Sequence, residues 1–364
     1  MIKEKRSVFL FMDEKILEQL ENVPFNGKDA YNKLVGILEN NYGKVKKIQD
    51  MTGLFSQKEK ERINYELKKI KEWGIAKVFL FGLSLSPCLE IDKVKKCLVN
   101  RPKVKLGIEN YSYINELLYL TDINPVKYNL PFERFFNEHR KFLPTFNVYV
   151  EKGDKGKRLK YLYEEYGKSL FIKPKDSDDI YYTSGKPFDS ELIKETVIVA
   201  KENEEAYEEN ISILTSRELS KLGYYSFSIT EVESIEYLET EVTEQTILEK
   251  KKELFDDCYH NSVEEFDLIE EIKPYLSYTE NKLIYQEQFM EICNKVLGVS
   301  CSMADYYRRE FAKKKKENLK SLKETIMQKF PENGEKLFDY FYNAVPYSVS
   351  KAYLIACLQY KIEE

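Results

Sequence analysis

The 364-residue sequence predicts an α+β fold, a mixed sheet with helices followed by a wholly helical C-terminal region. Three observations carry that expectation. In "LPTFNVYV", Leu143 to Val150, the apolar Phe146, Val148 and Val150 alternate with Asn147 and Tyr149, the period of two that marks a half-buried strand. Three more strand-like runs, "TVIVA", "ISIL" and "YYSFSIT", follow a turn-rich stretch and imply a sheet of four or five strands. From about Thr243 the period changes to that of a helix, with Tyr285, Phe289, Ile292, Cys293, Val296 and Leu297 on one stripe that stops at Gly298.

The other elements follow in order. In "KERINYELKKIKE" the positions of Ile63, Leu67 and Ile70 give a helix, and "WGIAKVFLFGLSLS" supplies a buried apolar run behind it. "YINELLYLTDINP" reads as a second helix, stopped by a turn at Asp122 to Pro125 because the residue before a proline disfavours helical geometry. After the strand at 143–150, "KGKRLKYLYEEY" puts Leu159, Leu162 and Tyr166 on one helical face ahead of Gly167. "KPKDSDDIYYTSGKPFD" reads as a loop; its Asp176, Asp178 and Asp179 imitate the start of a calcium loop without the required glycine and glutamate.

Near the C-terminus a helix is expected from Ser302 to Phe330. On such a helix Arg309, Lys313, Lys316, Lys320 and Lys323 share an arc of about 80°, beside a stripe of Glu310, Glu317 and Glu324. This basic stripe extends about 21 Å, close to six base steps of one DNA strand. It suits a phosphate backbone, and a solvated face of Glu/Lys pairs produces the same pattern.

Composition bounds the function. With 43% hydrophobic residues, 28 Tyr and 21 Phe, the chain has enough apolar surface for two or three packed domains and is not disordered. A net charge of −5 argues against a surface coated by nucleic acid but leaves room for a local basic face. The acidic part is Thr196 to Gln245, which a solvated face explains. Cys88, Cys97, Cys258, Cys293, Cys301 and Cys357 form no C-x-x-C pair, so they are expected as reduced core thiols. Only His139 and His260 exist, which excludes a histidine-rich metal centre. The apolar run Val8 to Met12 is too short for a signal peptide and no run approaches a membrane span, so a soluble cytoplasmic protein with no membrane partner is expected.

Three collinear segments carry a resemblance. "ERINYELKKIKEWGIAKVFLF", then "YLTDINPVKYNLPFERFFNEHRKFLPTFNVYVEKGDKGKRLKYLYEEYG", then "LIYQEQFMEICNKVLGVSCSMADYYRREFAKKKKENL" together resemble the bacterial DNA polymerase III alpha subunit, the C family of DNA polymerases. Fainter likeness continues at "LSKLGYYSFSIT" and "SKAYLIACLQYK". The resemblance implies a palm of the nucleotidyltransferase type plus helical fingers. It divides the chain into a lead-in at 1–59, a palm-like domain at 60–240 with a shortened thumb-like insertion at about 168–195, and a fingers-like domain at 241–364. The family's phosphoesterase-like, clamp-binding and oligonucleotide-binding regions have no counterpart in it.

In the family, three palm aspartates hold two magnesium ions. By the resemblance, their positions fall on Asn147, Tyr149 and Ser228, so every carboxylate is missing. Magnesium demands hard anionic oxygens, and two-metal phosphoryl transfer needs carboxylates to hold the ions about 3.5 to 4 Å apart. The phosphate-binding Gly-Arg-Gly-Ser element falls on Lys105 to Ile108, where only Gly107 survives. The Phe-Asn-Lys-Ser-His-Ser segment falls on Val345 to Ser350, without its lysine or histidine. Arg308, Arg309, Lys313, Lys314 and Lys315 do match the fingers pattern.

The expectation is therefore a truncated, catalytically degenerate relative with no catalytic residue, metal or cofactor. It would contact nucleic acid through Arg308, Arg309, Lys313, Lys316, Lys320 and Lys323, or engage a replisome protein, as an accessory or competitor. The alternatives are a protein-interaction module with a merely solvated lysine stripe, and an active polymerase with relocated metal ligands.

Overall fold

A computed structural model describes residues 14–24, 29–42, 54–85, 107–153, 162, 170–172, 179–183, 195–200, 206–211, 221, 223–238, 240–255 and 265–363. They divide into two compact units, one of residues 1–136, 140–236 and 362–364, the other of residues 137–139 and 237–361.

The first unit begins with helices α1 (Glu14–Asn22), α2 (Ala30–Tyr42), α3 (Gln57–Trp73) and α4 (Ala76–Leu85). A capping box starts α3: Ser56 Oγ accepts from the Glu59 N–H, and the Glu59 carboxylate accepts from the Ser56 N–H. The helix buries Ile63, Leu67, Ile70 and Trp73 on one stripe and ends at Gly74, whose φ of 66° suits the left-handed cap. The apolar run behind it is α4, which buries Val78, Phe79, Leu80, Phe81 and Leu85 around its circumference. A helix apolar on all sides belongs in the middle of a core. Accordingly the Phe81 ring lies 5.1 Å from Phe227 and 5.7 Å from Tyr225. A Cβ on Gly82 would come 2.7 Å from Phe146 Cζ, so the strand's phenylalanine reaches the helix only because that position is glycine.

Six strands form one sheet: β1 (Asn147–Glu151), β2 (Leu170–Ile172), β3 (Asp179–Thr183), β4 (Glu195–Ala200), β5 (Ala206–Ile211) and β6 (Tyr225–Val232), in the order β1-β6-β3-β2-β4-β5. Only β1 and β6 run parallel, and the long connection between them, which contains the other four strands, is what a parallel pair requires. The mixed sheet expected from the sequence is thus present, with more strands than the four or five anticipated. Strand β3 occupies the stretch read as a loop, because backbone pairing on both sides outweighs the weak strand preference of its Asp/Ser-rich flank. Strand β5 precedes "ISIL" and shares only Ile211 with it. The helix expected at 155–166 lies outside the described residues, apart from the buried Leu162. Instead of a long helix in "YINELLYLTDINP" there is one short helix, α5 (Tyr113–Leu117). It stops before Asp122, where Tyr119 turns to a φ of 58° and the Leu120 N–H bonds back to Asn115 O.

A buried carboxylate fixes α5 in place. Glu66 of α3 has no exposed surface and accepts from Arg62 Nε at 2.5 Å, Ser112 Oγ at 2.7 Å, and the Tyr113 and Ile114 N–H groups at 2.8 and 3.1 Å. Arg62 also donates to the carbonyls of Tyr111 and Leu130. Both oxygens are satisfied, the condition for holding a charge inside a core.

A two-stranded sheet pairs β7 (Ser234–Tyr237) with β8 (Tyr360–Glu363). The second unit contains the helices α6 (Glu244–Leu254), α7 (Gln286–Lys295), α8 (Cys301–Ala312), α9 (Lys320–Lys329), α10 (Gly334–Ala344) and α11 (Lys351–Gln359). Its core centres on Phe289, Phe311, Phe338 and Phe341, with Phe289 5.1 Å from Phe341 and 5.4 Å from Phe311. The "YQEQ" motif locks this unit. Gln288 accepts from the N–H groups of Ile284 and Tyr285 and donates to Tyr275 O and Thr279 Oγ1, while the Glu287 carboxylate accepts from the Lys351 N–H.

The single helix expected over 302–330 is not formed. Helix α8 starts at Cys301, capped by Ser300, and stops at Ala312; Lys314 takes a φ of 54°, and a short 3-10 turn at Lys316–Leu319 leads into α9. The Lys315 N–H closes the turn on Glu310 O at 3.1 Å. A straight helix of that length would extend about 43 Å and carry its later turns away from the core. The turn brings Leu319, Leu322 and Ile326 into the same cluster as Phe311.

Candidate functional site

Strand β1 presents the first candidate site. Phe146, Val148 and Val150 are buried, whereas Asn147 and Tyr149 are half-buried on the opposite face. Register places Asn147 beside Ser228 and Tyr149 beside Thr230. Two of the three positions marked by the resemblance are therefore cross-strand partners. Ser228 Oγ donates to Asn147 Oδ1 at 2.8 Å, so the amide oxygen that would have to serve as a ligand already accepts a hydrogen bond. Asn147, Tyr149 and Ser228 provide neutral oxygens, and a protonated phenol is a poor partner for a hard dication. This donor set does not fit a pair of magnesium ions.

The register also shows a residue that sequence reading misplaced. Asp179, assigned there to a loop, stands on β3 directly opposite Ser228, completing a cross-sheet row of Asn147, Ser228 and Asp179. Its signal was concealed by the flanking aspartates and serine. Asp176 and Asp178 lie outside the described residues, as do Lys105 and Leu106.

Gly107 keeps its backbone N–H directed at a carboxylate from its own chain, donating to Glu109 Oε1 at 3.1 Å. Glu109 has no exposed surface, and its second oxygen has no hydrogen-bond partner among the described residues. Burial, only partly offset by the N–H groups of Glu109 and Gly107, pushes its pKa up to about 8. The segment at Val345–Ser350 is structural: Ser348 Oγ donates to Val345 O, and Ser350 caps α11.

The second candidate site is the lysine-rich turn after α8. Arg308 and Arg309 serve the fold here. Asp305 has no exposed surface and receives Arg308 Nε and Nη2 at 3.2 and 3.0 Å, with Arg309 Nε at 3.3 Å. Asn137 Nδ2 donates to the same carboxylate at 2.9 Å, Arg309 donates to His139 O at 3.0 Å, and Ser302 Oγ donates to Glu138. The Asn137–His139 tripeptide is thereby clipped onto α8.

Lys313 is exposed and paired with Glu310 at 2.8 Å; Lys323 is paired with Glu335 at 2.5 Å and lies over Phe338. Lys316 sits 4.7 Å above the Tyr342 ring. Lys314, Lys315 and Lys320 are exposed. Burial raises the Glu310 carboxyl, but bonds from Lys313 and Asn318 and the nearby charges outweigh it and leave the pKa below the ordinary value. Because the helix is broken, the six predicted contacts do not form one straight stripe. Lys313, Lys314, Lys315 and Lys316 gather at the turn and Lys320 and Lys323 continue on α9. Among the described residues no helix is long and apolar enough to cross a membrane, and no group of three acidic, Cys or His side chains could hold a metal.

Comparison with known proteins agrees with the resemblance. Residues 37–173, which include α3, α4 and β1, match the family described as the bacterial DNA polymerase III alpha NTPase domain. Residues 235–334, which include the lysine-rich turn, match the bacterial DNA polymerase III alpha subunit finger domain. Ser228 lies between the two matched segments. The DNA polymerase III subunit alpha of Staphylococcus aureus strain MRSA252 is 33% identical over 107 residues, covering 29% of this chain and 10% of that protein. That of Staphylococcus epidermidis is 32% identical over 106 residues, covering 29% and 9%. The aligned part thus amounts to about a tenth of those relatives' length. Two stretches of this α+β chain are thus similar to the NTPase and finger domains of the bacterial DNA polymerase III alpha subunit.

Proposed function

We propose that this chain is a non-polymerising relative of DNA polymerase III alpha that binds nucleic acid, acting in the cytoplasm as an accessory to, or competitor of, the replication machinery. One observation supports the loss of chemistry: at the three positions that the resemblance assigns to the family's metal ligands the side chains are neutral, and Ser228 Oγ donates to Asn147 Oδ1 at 2.8 Å. Backbone register adds one acidic position, Asp179 opposite Ser228, and two-metal transfer requires several carboxylates. The binding role rests on the α8–α9 turn, where Lys314, Lys316 and Lys320 are exposed and positively charged.

A second reading, a protein-interaction module without nucleic-acid binding, has its own support. Arg308, Arg309, Lys313 and Lys323 are ion-paired within the chain, which reduces the charge left for phosphates. Salt dependence separates the two. If the turn contacts phosphates, log affinity for a DNA duplex falls linearly with log salt, with a slope of about −0.9 per contact. Absence of binding at low salt would leave only the protein-interaction reading.

A further inference from the structure

We propose that the Lys313–Lys316 turn and Tyr342 form a site for single-stranded nucleic acid, in which an unpaired base stacks on the Tyr342 ring while the lysines hold the flanking phosphates. This deepens the reading above and rests on it. Tyr342 of α10 is partly exposed and packed against the core of the second unit, its ring meeting Phe311 edge-on at 6.4 Å and 66°. The ring is therefore held in one orientation from behind. Its covered face carries the Lys316 ammonium, 4.7 Å from the centroid.

An exposed cation–π contact is weak, and a phosphate is a stronger partner for an ammonium. Moving Lys316 from the ring to a phosphate would free a flat aromatic face beside the charge. The rest of the turn is arranged for that exchange. The Lys314 N–H bonds to Phe311 O at 2.9 Å and the Lys315 N–H to Glu310 O at 3.1 Å, which fixes the backbone while Lys313 to Lys316 remain exposed. Glu310 already accepts from Lys313 and from Asn318, at 2.8 and 2.5 Å. Stacking discriminates between nucleic-acid forms because the faces of a base are covered within a duplex and available in a single strand.

The test uses the full chain and two fluorescent probes of about 20 nucleotides, an oligo-dT and a mixed-sequence duplex of the same length, followed by anisotropy at several salt concentrations. The single strand should bind more tightly than the duplex. Tyr342→Leu should weaken single-strand binding about tenfold with an unchanged salt slope, whereas Tyr342→Trp should retain it. Lys316→Gln should reduce the single-strand salt slope by about 0.7. Thermal melts show that each variant is folded. Equal affinity for the two probes, or a folded Tyr342→Leu that binds the single strand as wild type does, would overturn the stacking site while leaving nucleic-acid binding intact. No binding of either probe would overturn both readings.

Discussion

At the β1–β6 row of the first unit the packing is complete and the charge is absent, whereas in the α8–α9 turn of the second unit charge is abundant and partly consumed by the fold. Val148 and Val150 are buried behind a row whose front, Asn147 and Ser228, is neutral and self-satisfied. Around Asp305, by contrast, two arginines and an asparagine are bound into the core, and the exposed charge is left to the lysines that follow. The difference separates two uses of polar residues. Those facing outward from a strand can change without disturbing the sheet behind them. A charge inside a helical core cannot be removed without stranding its partners.

The largest effect is therefore expected at Asp305. Asp305→Ala leaves Arg308 and Arg309 without their buried partner and should destabilise the chain by about 3–5 kcal/mol in denaturant unfolding. A loss under about 1 kcal/mol would mean that this network is not the anchor inferred for it.

Next in size is a pH effect on the first unit. Glu109 titrates in the unfolded chain near the ordinary glutamate value and in the folded chain at about 8, raised by burial against weaker backbone hydrogen bonds. The folded state therefore binds the extra proton between those values. The associated stability is fully present below the unfolded value and is lost as pH rises through about 8. Thermal melts should fall across that interval, and Glu109→Gln should flatten the decline.

A smaller change should accompany charge introduced at the row. Asn147→Asp and Tyr149→Asp replace half-buried side chains on the face opposite the core, so each should alter stability by only about 1 kcal/mol. A collapse of the fold would show that this face is packed after all. Smallest is the effect of single lysines at the turn. Lys320→Gln should reduce the magnitude of the duplex salt slope by about 0.9. Lys323→Gln, whose ammonium already pairs with Glu335, should change it less.

The sequence made the β1 pattern legible because burial there follows a strict period of two, and it made the α7 stripe legible for the corresponding helical reason. The long basic helix was misread because Phe311, Leu319, Leu322 and Ile326 stay in helical phase across a turn that only tertiary packing reveals. Strand β3 was hidden because its identity comes from β2 and β6 on either side. At the site, the neutral residues themselves could be read directly. The Ser228–Asn147 bond, the placement of Asp179 and the capture of Arg308 by Asp305 arise from register and burial. Residues 81 and 32 positions apart are brought into one row by pairing that no local pattern records.

Primer extension tests the central claim most directly. Purified protein, a primed DNA template, the four deoxynucleoside triphosphates and either magnesium or manganese should yield no template-directed incorporation, because Asn147, Tyr149 and Ser228 are neutral and do not hold a metal pair. Incorporation that follows the template and disappears with an Asp179→Asn substitution would contradict the account and place the missing ligand on β3.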